Sequence, residues 1–394
     1  MPASTGRTPS PPWSASPPPW RRAAVHEERH PPMKIAVLGV GLIGGSIGLA
    51  ARQRLDAEVI GCGRSPERLQ RAVELGAIDR AGSLAEACAE ADLVFCAGPV
   101  AALPEQAREA LAASGPEAVV TDVGSTKGEL VAAVGEDERF IGGHPLAGAE
   151  TAGVENARAD LFEGARWYLT PTERSSGLLY DRLQRALTGL GARPQAIDPR
   201  GHDQLMATVS HLPHVLANVL AAEAAQSLTT ESERLPDVGP SFRDATRVAG
   251  SNPAIWADIF AANREAVAES VDSVAERLRE AAELIRSGDH EALGAWHGAA
   301  GEARRRILEA ESEAGPLREL RIVVSNKPGT IAELALALGE AGVNIEDMAL
   351  HPAPDMTSGA VSLWVGGEEQ ARKAESLVRE LGHTVSVVGD GSPE

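Results

Sequence analysis

The chain has 394 residues, enough for two or three domains that each bury a core. Its net charge of -19 at pH 7 opposes binding to a nucleic-acid backbone and does not by itself select a substrate. No apolar run approaches the roughly 20 residues that a membrane-spanning helix needs, so we expect no membrane partner. Cys62, Cys88 and Cys96 lack CxxC spacing. We interpret them as reduced core residues of a cytoplasmic protein.

Residues 1–32 are rich in Pro, Ser and Arg and show no periodic apolar face. This composition predicts a disordered tail, and it lacks the apolar region of a secretory signal. Because the first predicted strand begins directly after it, we expect Met33 to be the physiological start.

Residues 33–199 alternate short apolar runs with helical stretches. The predicted strands are residues 34–38, 58–61, 92–97, 118–122, 140–143, 167–170 and 195–198. Continuous apolar strands separated by helices predict an α/β domain with a doubly wound parallel sheet of the Rossmann type, which binds dinucleotides.

Residues 200–313 read as helices throughout, at residues 202–228, 241–249, 253–286 and 290–313. They carry more apolar surface than solvated helices need, which favours packing against a second subunit in a homodimer. Residues 317–390 return to a βαββαβ order, with strands at 320–324, 344–350, 360–365 and 384–388 and helices at 329–340 and 368–381.

A glycine-rich turn, GVGLIG, follows the first predicted strand and opens a helix. Gly39 supplies the tight turn, Gly41 lets the backbone approach a pyrophosphate, and Gly44 lets the helix pack on the strand. The N–H groups of Leu42 and Ile43 then lie at a helix N-terminus, which favours the anionic phosphates. The turn therefore predicts a bound dinucleotide.

The second strand ends in Gly63-Arg64-Ser65, where NAD-binding domains usually carry an acidic residue. Arg64 and the Ser65 hydroxyl are suited to a 2′-phosphate, which favours NADP. In the alternative, Arg64 stacks on the adenine and NAD is accepted.

Three motifs occur in a fixed order: the glycine-rich turn, TDVGSTK at residues 121–127 and GGHPLAGAE at residues 142–150. In this order they resemble the prephenate/arogenate dehydrogenase family of tyrosine biosynthesis, and the likeness covers residues 33 to about 286. The resemblance implies oxidative decarboxylation of prephenate to 4-hydroxyphenylpyruvate, or of arogenate, with hydride transfer to NAD(P)+. Residues 317–390 resemble an ACT regulatory domain.

The resemblance also implies roles for single residues. His144 matches the histidine that bonds the substrate's ring hydroxyl, and an imidazole can accept that proton. Ser125 matches a serine that bonds both the histidine and the hydroxyl, although a serine in such a turn also serves as a helix N-cap. Arg247 matches the position that binds a prephenate carboxylate.

Four further substrate contacts have structural alternatives. Arg243 shares a predicted helix face with Arg247, or forms an exposed ion pair. Lys127 neutralises a carboxylate, or only occupies the first helical turn. Glu150 influences ionisation near the substrate entrance, or is a solvated glutamate. His214 positions the substrate, or packs in the core or at the dimer interface.

The ACT-like segment predicts an effector site around Asn326, Gly329 and Asn344, with L-tyrosine as the expected inhibitor. The alternative is a domain that only supports the dimer. No metal is predicted, because His211 and His214 have poor zinc spacing and no matching cysteine or acidic cluster.

Two other functions compete with this prediction. A β-hydroxyacid dehydrogenase shares the architecture but relies on a lysine in the helical domain, and there is none between Lys127 and Lys327. A non-enzymatic ACT protein that senses redox state leaves His144 and Arg247 without a role.

Overall fold

The computed structural model describes residues 32–134, 137–148, 151–229, 238–311, 317–325, 327, 329–352 and 358–388. The predicted tail up to residue 31, Glu150 and Asn326 lie outside these residues. The chain forms two compact units, one ending at Ala275 and one beginning at Glu276.

The first unit is built on a five-stranded parallel sheet. Its strands are β1 (Lys34–Leu38), β2 (Glu58–Cys62), β3 (Arg80–Ala81), β4 (Leu93–Cys96) and β5 (Val119–Asp122), in the order β3-β2-β1-β4-β5. The connecting helices are α1 (Leu42–Arg54), α2 (Pro66–Glu74), α3 (Leu84–Cys88), α4 (Leu103–Ala113) and α5 (Gly128–Val134). The predicted Rossmann-like parallel sheet is confirmed; β3, of two residues, was too short to predict.

Both faces of this sheet are covered, as the continuous apolar strands require. Within β1, Ile35 and Val37 pack into one core cluster, whereas Ala36 and Leu38 pack into another. Successive side chains of a strand point to opposite faces, so a strand covered on both faces is mostly apolar at successive positions.

The prediction that all strands join one parallel sheet is wrong for the later ones. Strands β6 (Gly142–Pro145), β7 (Arg166–Thr170) and β8 (Arg193–Ala196) form a second sheet, in which β6 and β7 are antiparallel; α6 (Gly177–Gly189) precedes β8. A parallel pair needs a long crossover connection, usually an α-helix. The described part of the connection from β6 to β7 contains only the 3-10 turn Val154–Asn156.

The helical part begins with α7 (Pro199–Met206), a π-turn at Ala207–His211, and α8 (Leu212–Thr229). The π-turn lies just before Pro213, which has no N–H to donate and whose ring would clash with the carbonyl four residues earlier. This segment was predicted as one helical stretch interrupted by Pro213, and the proline explains why its turn is widened.

The following helices are α9 (Pro240–Thr246), the 3-10 turn Arg247–Gly250, α10 (Pro253–Ala262), α11 (Arg264–Ser287) and α12 (His290–Glu311). The single helix predicted over residues 253–286 is therefore divided at Asn263, a buried polar residue. The boundary between the two compact units falls within α11.

The helical run Pro199–Gln226 is apolar and long enough to cross a membrane by length and composition alone. No apolar segment of this length was predicted from the sequence. The run also carries His202, Asp203 and His211, all buried within this unit. Core helices of globular proteins satisfy the same criterion.

The second unit contains β9 (Leu317–Ser325), α13 (Thr330–Glu340), β10 (Ile345–Pro352), β11 (Ser358–Gly366), α14 (Glu368–Glu380) and β12 (Thr384–Val388). All its strand pairs are antiparallel, in the order β10-β11-β9-β12. The elements follow the predicted βαββαβ order. Alternate residues of β9, Leu320, Ile322 and Val324, are buried in its core.

Candidate active site

The glycine-rich turn joins β1 to α1 and leaves an open cradle at the N-terminus of α1. Gly39 has a φ of +111°, and a Cβ there would lie 2.6 Å from the Ala97 carbonyl oxygen. A Cβ on Gly44 would lie 2.1 Å from the Gly39 carbonyl oxygen. Around Gly41, in contrast, no atom lies within 4 Å of an added Cβ. The cradle thus fits a pyrophosphate beside the backbone N–H groups of Leu42 and Ile43.

The end of β2 lies beside this turn, because the Gly39 N–H donates to the Cys62 carbonyl at 2.8 Å. Arg64 is exposed there. Ser65 caps α2: its Oγ accepts from the Arg68 N–H at 3.3 Å and donates to Glu67 at 2.7 Å. Ser65, one of the two residues predicted to contact the ribose 2′-phosphate, is therefore hydrogen-bonded to the Glu67 carboxylate.

His144 lies on β6, with only 9% of its surface exposed. Its Nδ1 lies 2.9 Å from Nε2 of His202 on α7. Burial holds the pKa of His144 well below its ordinary value, and the nearby His202 and Lys127 add to the depression. The imidazole is therefore neutral at neutral pH, so one of its ring nitrogens carries a free lone pair.

His202 is held in turn by Asp203. His202 Nδ1 lies 2.9 Å from Asp203 Oδ1, and the Asp203 carboxylate accepts the backbone N–H groups of Lys127 at 2.8 Å and Gly128 at 2.7 Å. These bonds tie α7 to the start of α5. Sequence reasoning missed both residues because they lie 58 and 59 positions beyond His144 and form no local motif with it.

Ser125 and Lys127 lie in the loop between β5 and α5. Ser125 is half-buried, and the cap of α5 is supplied by Asp203 rather than by this serine. Lys127 is fully buried and forms an ion pair with Asp122. Burial lowers its pKa, and Asp122 opposes the change. This placement fits the structural alternative for Lys127, since its ammonium is already paired inside the protein.

Asp122 organises the same region. Its carboxylate accepts the N–H of Gly124 at 2.7 Å and the N–H of Gly143 at 2.9 Å, in addition to pairing with Lys127. The residue before His144 is thereby fixed to the carboxyl end of β5.

A third buried histidine, His211, lies on the π-turn. Asn263 donates from Nδ2 to the Asp203 carbonyl at 2.8 Å, and the same nitrogen lies 3.1 Å from His211 Nδ1. Burial lowers the pKa of His211 to about 4. Asn263 was also not predicted from the sequence, because its role depends on its position between α10 and α11, where it contacts Asp203 and His211.

His214 stacks on Trp256, with ring centroids 3.4 Å apart. Its Nδ1 lies 3.0 Å from the Ser210 carbonyl oxygen. Its pKa is lowered chiefly by burial and also by the charge of Arg247, which is therefore nearby. Two predicted substrate-binding residues, His214 and Arg247, are thus brought together beside Trp256.

Arg243 is exposed on α9, while Arg247 is exposed at the start of the 3-10 turn. The prediction that one helix presents both arginines on the same face is wrong, because α9 ends at Thr246 and Arg247 lies in the 3-10 turn. Among the described residues, no group of three His, Cys, Asp or Glu side chains is placed to hold a metal ion.

Two predicted effector residues belong to the second unit. Gly329 precedes α13 with a φ of +93°, a conformation that glycine adopts without strain. Asn344 donates from Nδ2 to Glu346 at 2.9 Å. The third, Asn326, and the substrate-site Glu150 lie outside the described residues.

Two family models match consecutive parts of the chain. The nucleotide-binding domain of prephenate dehydrogenase matches residues 47–195, and its dimerization domain matches residues 198–298. The prephenate dehydrogenase of Bacillus subtilis (strain 168) is 30% identical over 355 residues, which cover 87% of this chain and 95% of that protein.

Solved structures show the same likeness. The A. aeolicus prephenate dehydrogenase in complex with hydroxyphenyl propionate and NAD+ has a TM-score of 0.67 and 31% identity, covering 71% of this chain and all of that one. Synechocystis arogenate dehydrogenase has a TM-score of 0.64 and 30% identity, covering 70% of this chain and all of that one. The chain belongs to the prephenate dehydrogenase family.

Proposed function

We propose that this chain oxidatively decarboxylates prephenate to 4-hydroxyphenylpyruvate, with NAD(P)+ as the hydride acceptor. The observation that carries the proposal is the buried His144, whose neighbour Gly143 donates its N–H to Asp122 at the carboxyl end of β5, in the same sheet as β1 with its dinucleotide cradle. Ligands of open α/β sheets bind at this edge. The family relationship supports the same reaction.

The atom balance defines what His144 must do. Prephenate loses a hydride from C4 and its ring carboxylate as CO2, and the bonding electrons left behind make the ring aromatic. The C4 hydroxyl proton is not consumed, because the product is a phenol. His144 therefore accepts this proton as the C4–O bond gains double-bond character and returns it to the phenolic oxygen as CO2 leaves. Ser125, in the loop beside this region, is the proposed partner of the same hydroxyl.

Arg247 is proposed to bind a substrate carboxylate. It lies near His214, and the stacked His214–Trp256 pair provides a flat wall for the substrate. A guanidinium matches a carboxylate with two parallel hydrogen bonds. Arg243 and Glu150 remain proposed contacts near the entrance.

The choice between NAD and NADP depends on the end of β2. Exposed Arg64 and the missing acid favour NADP, the preference that we propose. Glu67 opposes it, since its carboxylate holds the Ser65 hydroxyl and would repel a 2′-phosphate. The A. aeolicus relative was solved with NAD+, and that complex does not decide the preference of this chain.

The second unit is proposed to be an ACT regulatory domain. Its βαββαβ order and four-stranded antiparallel sheet support this assignment. We propose L-tyrosine as its effector, at Gly329, Asn344 and Asn326. Tyrosine inhibits if it binds the less active state more tightly. Removal of the residues after Glu313 would then leave an active enzyme that tyrosine no longer inhibits, whereas a domain that only supports the dimer predicts that full-length enzyme ignores millimolar tyrosine.

We also propose that the chain is a cytoplasmic homodimer. Helix α8 exposes Leu216, Val219 and Leu220, an apolar surface that a second copy would cover. The family model for this part is that of a dimerization domain.

Turnover of four substrate and cofactor pairs tests the proposed function. Prephenate and arogenate are each assayed with NAD+ and with NADP+, and kcat/KM is compared. The proposal expects prephenate with NADP+ to be the best pair. A higher value for arogenate would make the chain an arogenate dehydrogenase, the activity named for the Synechocystis relative. No reduction of either cofactor by either substrate would contradict the proposal.

A further inference from the structure

The side chains of Asp203, His202 and His144 form a continuous hydrogen-bonded row. The two links are each 2.9 Å long, from Asp203 Oδ1 to His202 Nδ1 and from His202 Nε2 to His144 Nδ1. The side chain of His202 has no exposed surface, so water does not compete for either ring nitrogen. Proton positions in the row are therefore set by the partners alone.

The direction of the row is fixed at its Asp203 end. Backbone N–H groups can only donate, and Asp203 receives one on each oxygen, from Lys127 at 2.8 Å and Gly128 at 2.7 Å. An ionised carboxylate also only accepts, so His202 Nδ1 carries a proton and donates it to Asp203. In a neutral His202, Nε2 is then an acceptor. His144 Nδ1 must donate to it, which leaves the lone pair of His144 on Nε2.

We propose that Asp203 and His202 are positioning residues that hold His144 in its Nδ1–H tautomer, with Nε2 ready to accept the proton of the substrate hydroxyl. The expected effect on catalysis rests on the proposed function, whereas the tautomer assignment rests only on the hydrogen-bond geometry. The opposite tautomer would present an N–H to the hydroxyl and could not take its proton. A histidine pair that serves only packing would not require a hydrogen-bond acceptor at position 202.

Two substitutions separate these roles. In His202→Gln, the amide oxygen can accept from His144 Nδ1 while the amide nitrogen donates to Asp203. In His202→Phe, the ring fills the space and offers neither bond. We expect Phe to lower kcat by roughly 10²- to 10⁴-fold and Gln by no more than about tenfold, with the KM for prephenate within a few-fold of wild type in both. Equal kcat values for Gln and Phe would overturn the proposal.

The tautomer itself is read by ¹⁵N NMR of histidine-labelled protein, with the His144 resonances assigned from their loss in His144→Gln. The expected signature is a pyridine-like Nε2 and a protonated Nδ1 on His144, in wild type and in His202→Gln. A protonated Nε2 in wild type would overturn the proposal even if the enzyme is active. If prephenate is not turned over but the expected signature is present, the proposed function fails and the tautomer assignment stands. These spectra test the inference even if His202→Phe does not fold.

Discussion

Buried His211 should make the folded protein sensitive to mild acid. The pKa of this imidazole falls from 6.5 to about 4 in the folded protein because burial disfavours its charged form. As the pH falls below 6.5, the unfolded chain therefore binds a proton that the folded chain does not. The stability that neutral His211 contributes is fully present above pH 6.5 and is lost as the pH falls towards 4. At pH 5.5 the linkage relation gives a loss of about 1.4 kcal/mol from this group alone.

The test compares urea unfolding of wild type and His211→Gln at pH 7.5 and pH 5.5, which is above the sequence pI of about 5.0. Tryptophan fluorescence is a suitable probe, since the ring centroids of Trp256 and His211 are 5.9 Å apart. Between the two pH values, wild type should lose about 1.4 kcal/mol more than the variant. The exposed His297, changed to Gln, is the matched control and should behave as wild type. An equal loss in wild type and His211→Gln would show that His211 does not cause the acid sensitivity.

Four further substitutions test the site. His144→Ala should lower kcat roughly 10²- to 10⁴-fold with near-normal dinucleotide affinity, and a retained kcat would remove this residue from the mechanism. Arg247→Gln should act mainly on the KM for prephenate, since its bond to a carboxylate is made before hydride transfer; an unchanged KM would place it outside the site. Arg64→Ala should weaken NADP binding more than NAD binding, whereas equal effects in titrations would indicate adenine stacking. Asp122→Asn should lower the unfolding free energy by about 3 to 5 kcal/mol, because it leaves the buried Lys127 ammonium without its ion pair; wild-type stability in urea would contradict that.

The parallel sheet and the cradle were predictable because their signals are local. A strand covered on both faces is apolar at successive positions, as β1 is from Ile35 to Leu38, and the turn after it needs glycines at fixed spacings. The antiparallel pairing of β6 and β7 was not predictable in this way. It depends on a connection without a crossover helix, and single strands do not reveal their partner's direction.

The candidate site was predicted only in part. His144, His214 and Arg247 lie in recognisable motifs, whereas His202, Asp203 and Asn263 acquire their roles from contacts over 52 to 76 positions of sequence. For Lys127 the motif left a substrate contact and a structural role both open, and its burial against Asp122 became visible only in three dimensions. Hydrogen bonds between residues far apart in sequence produce no periodic pattern from which they could be predicted.

The central claim is that hydride loss and decarboxylation occur on the same substrate at a site that contains His144. Prephenate carrying a labelled ring carboxylate, incubated with enzyme and excess NAD+ or NADP+, measures both events at once. One labelled CO2 is expected for each reduced nicotinamide throughout the time course, and both rates should fall together in His144→Ala. Reduced cofactor formed without labelled CO2, or undiminished rates in His144→Ala, would contradict it.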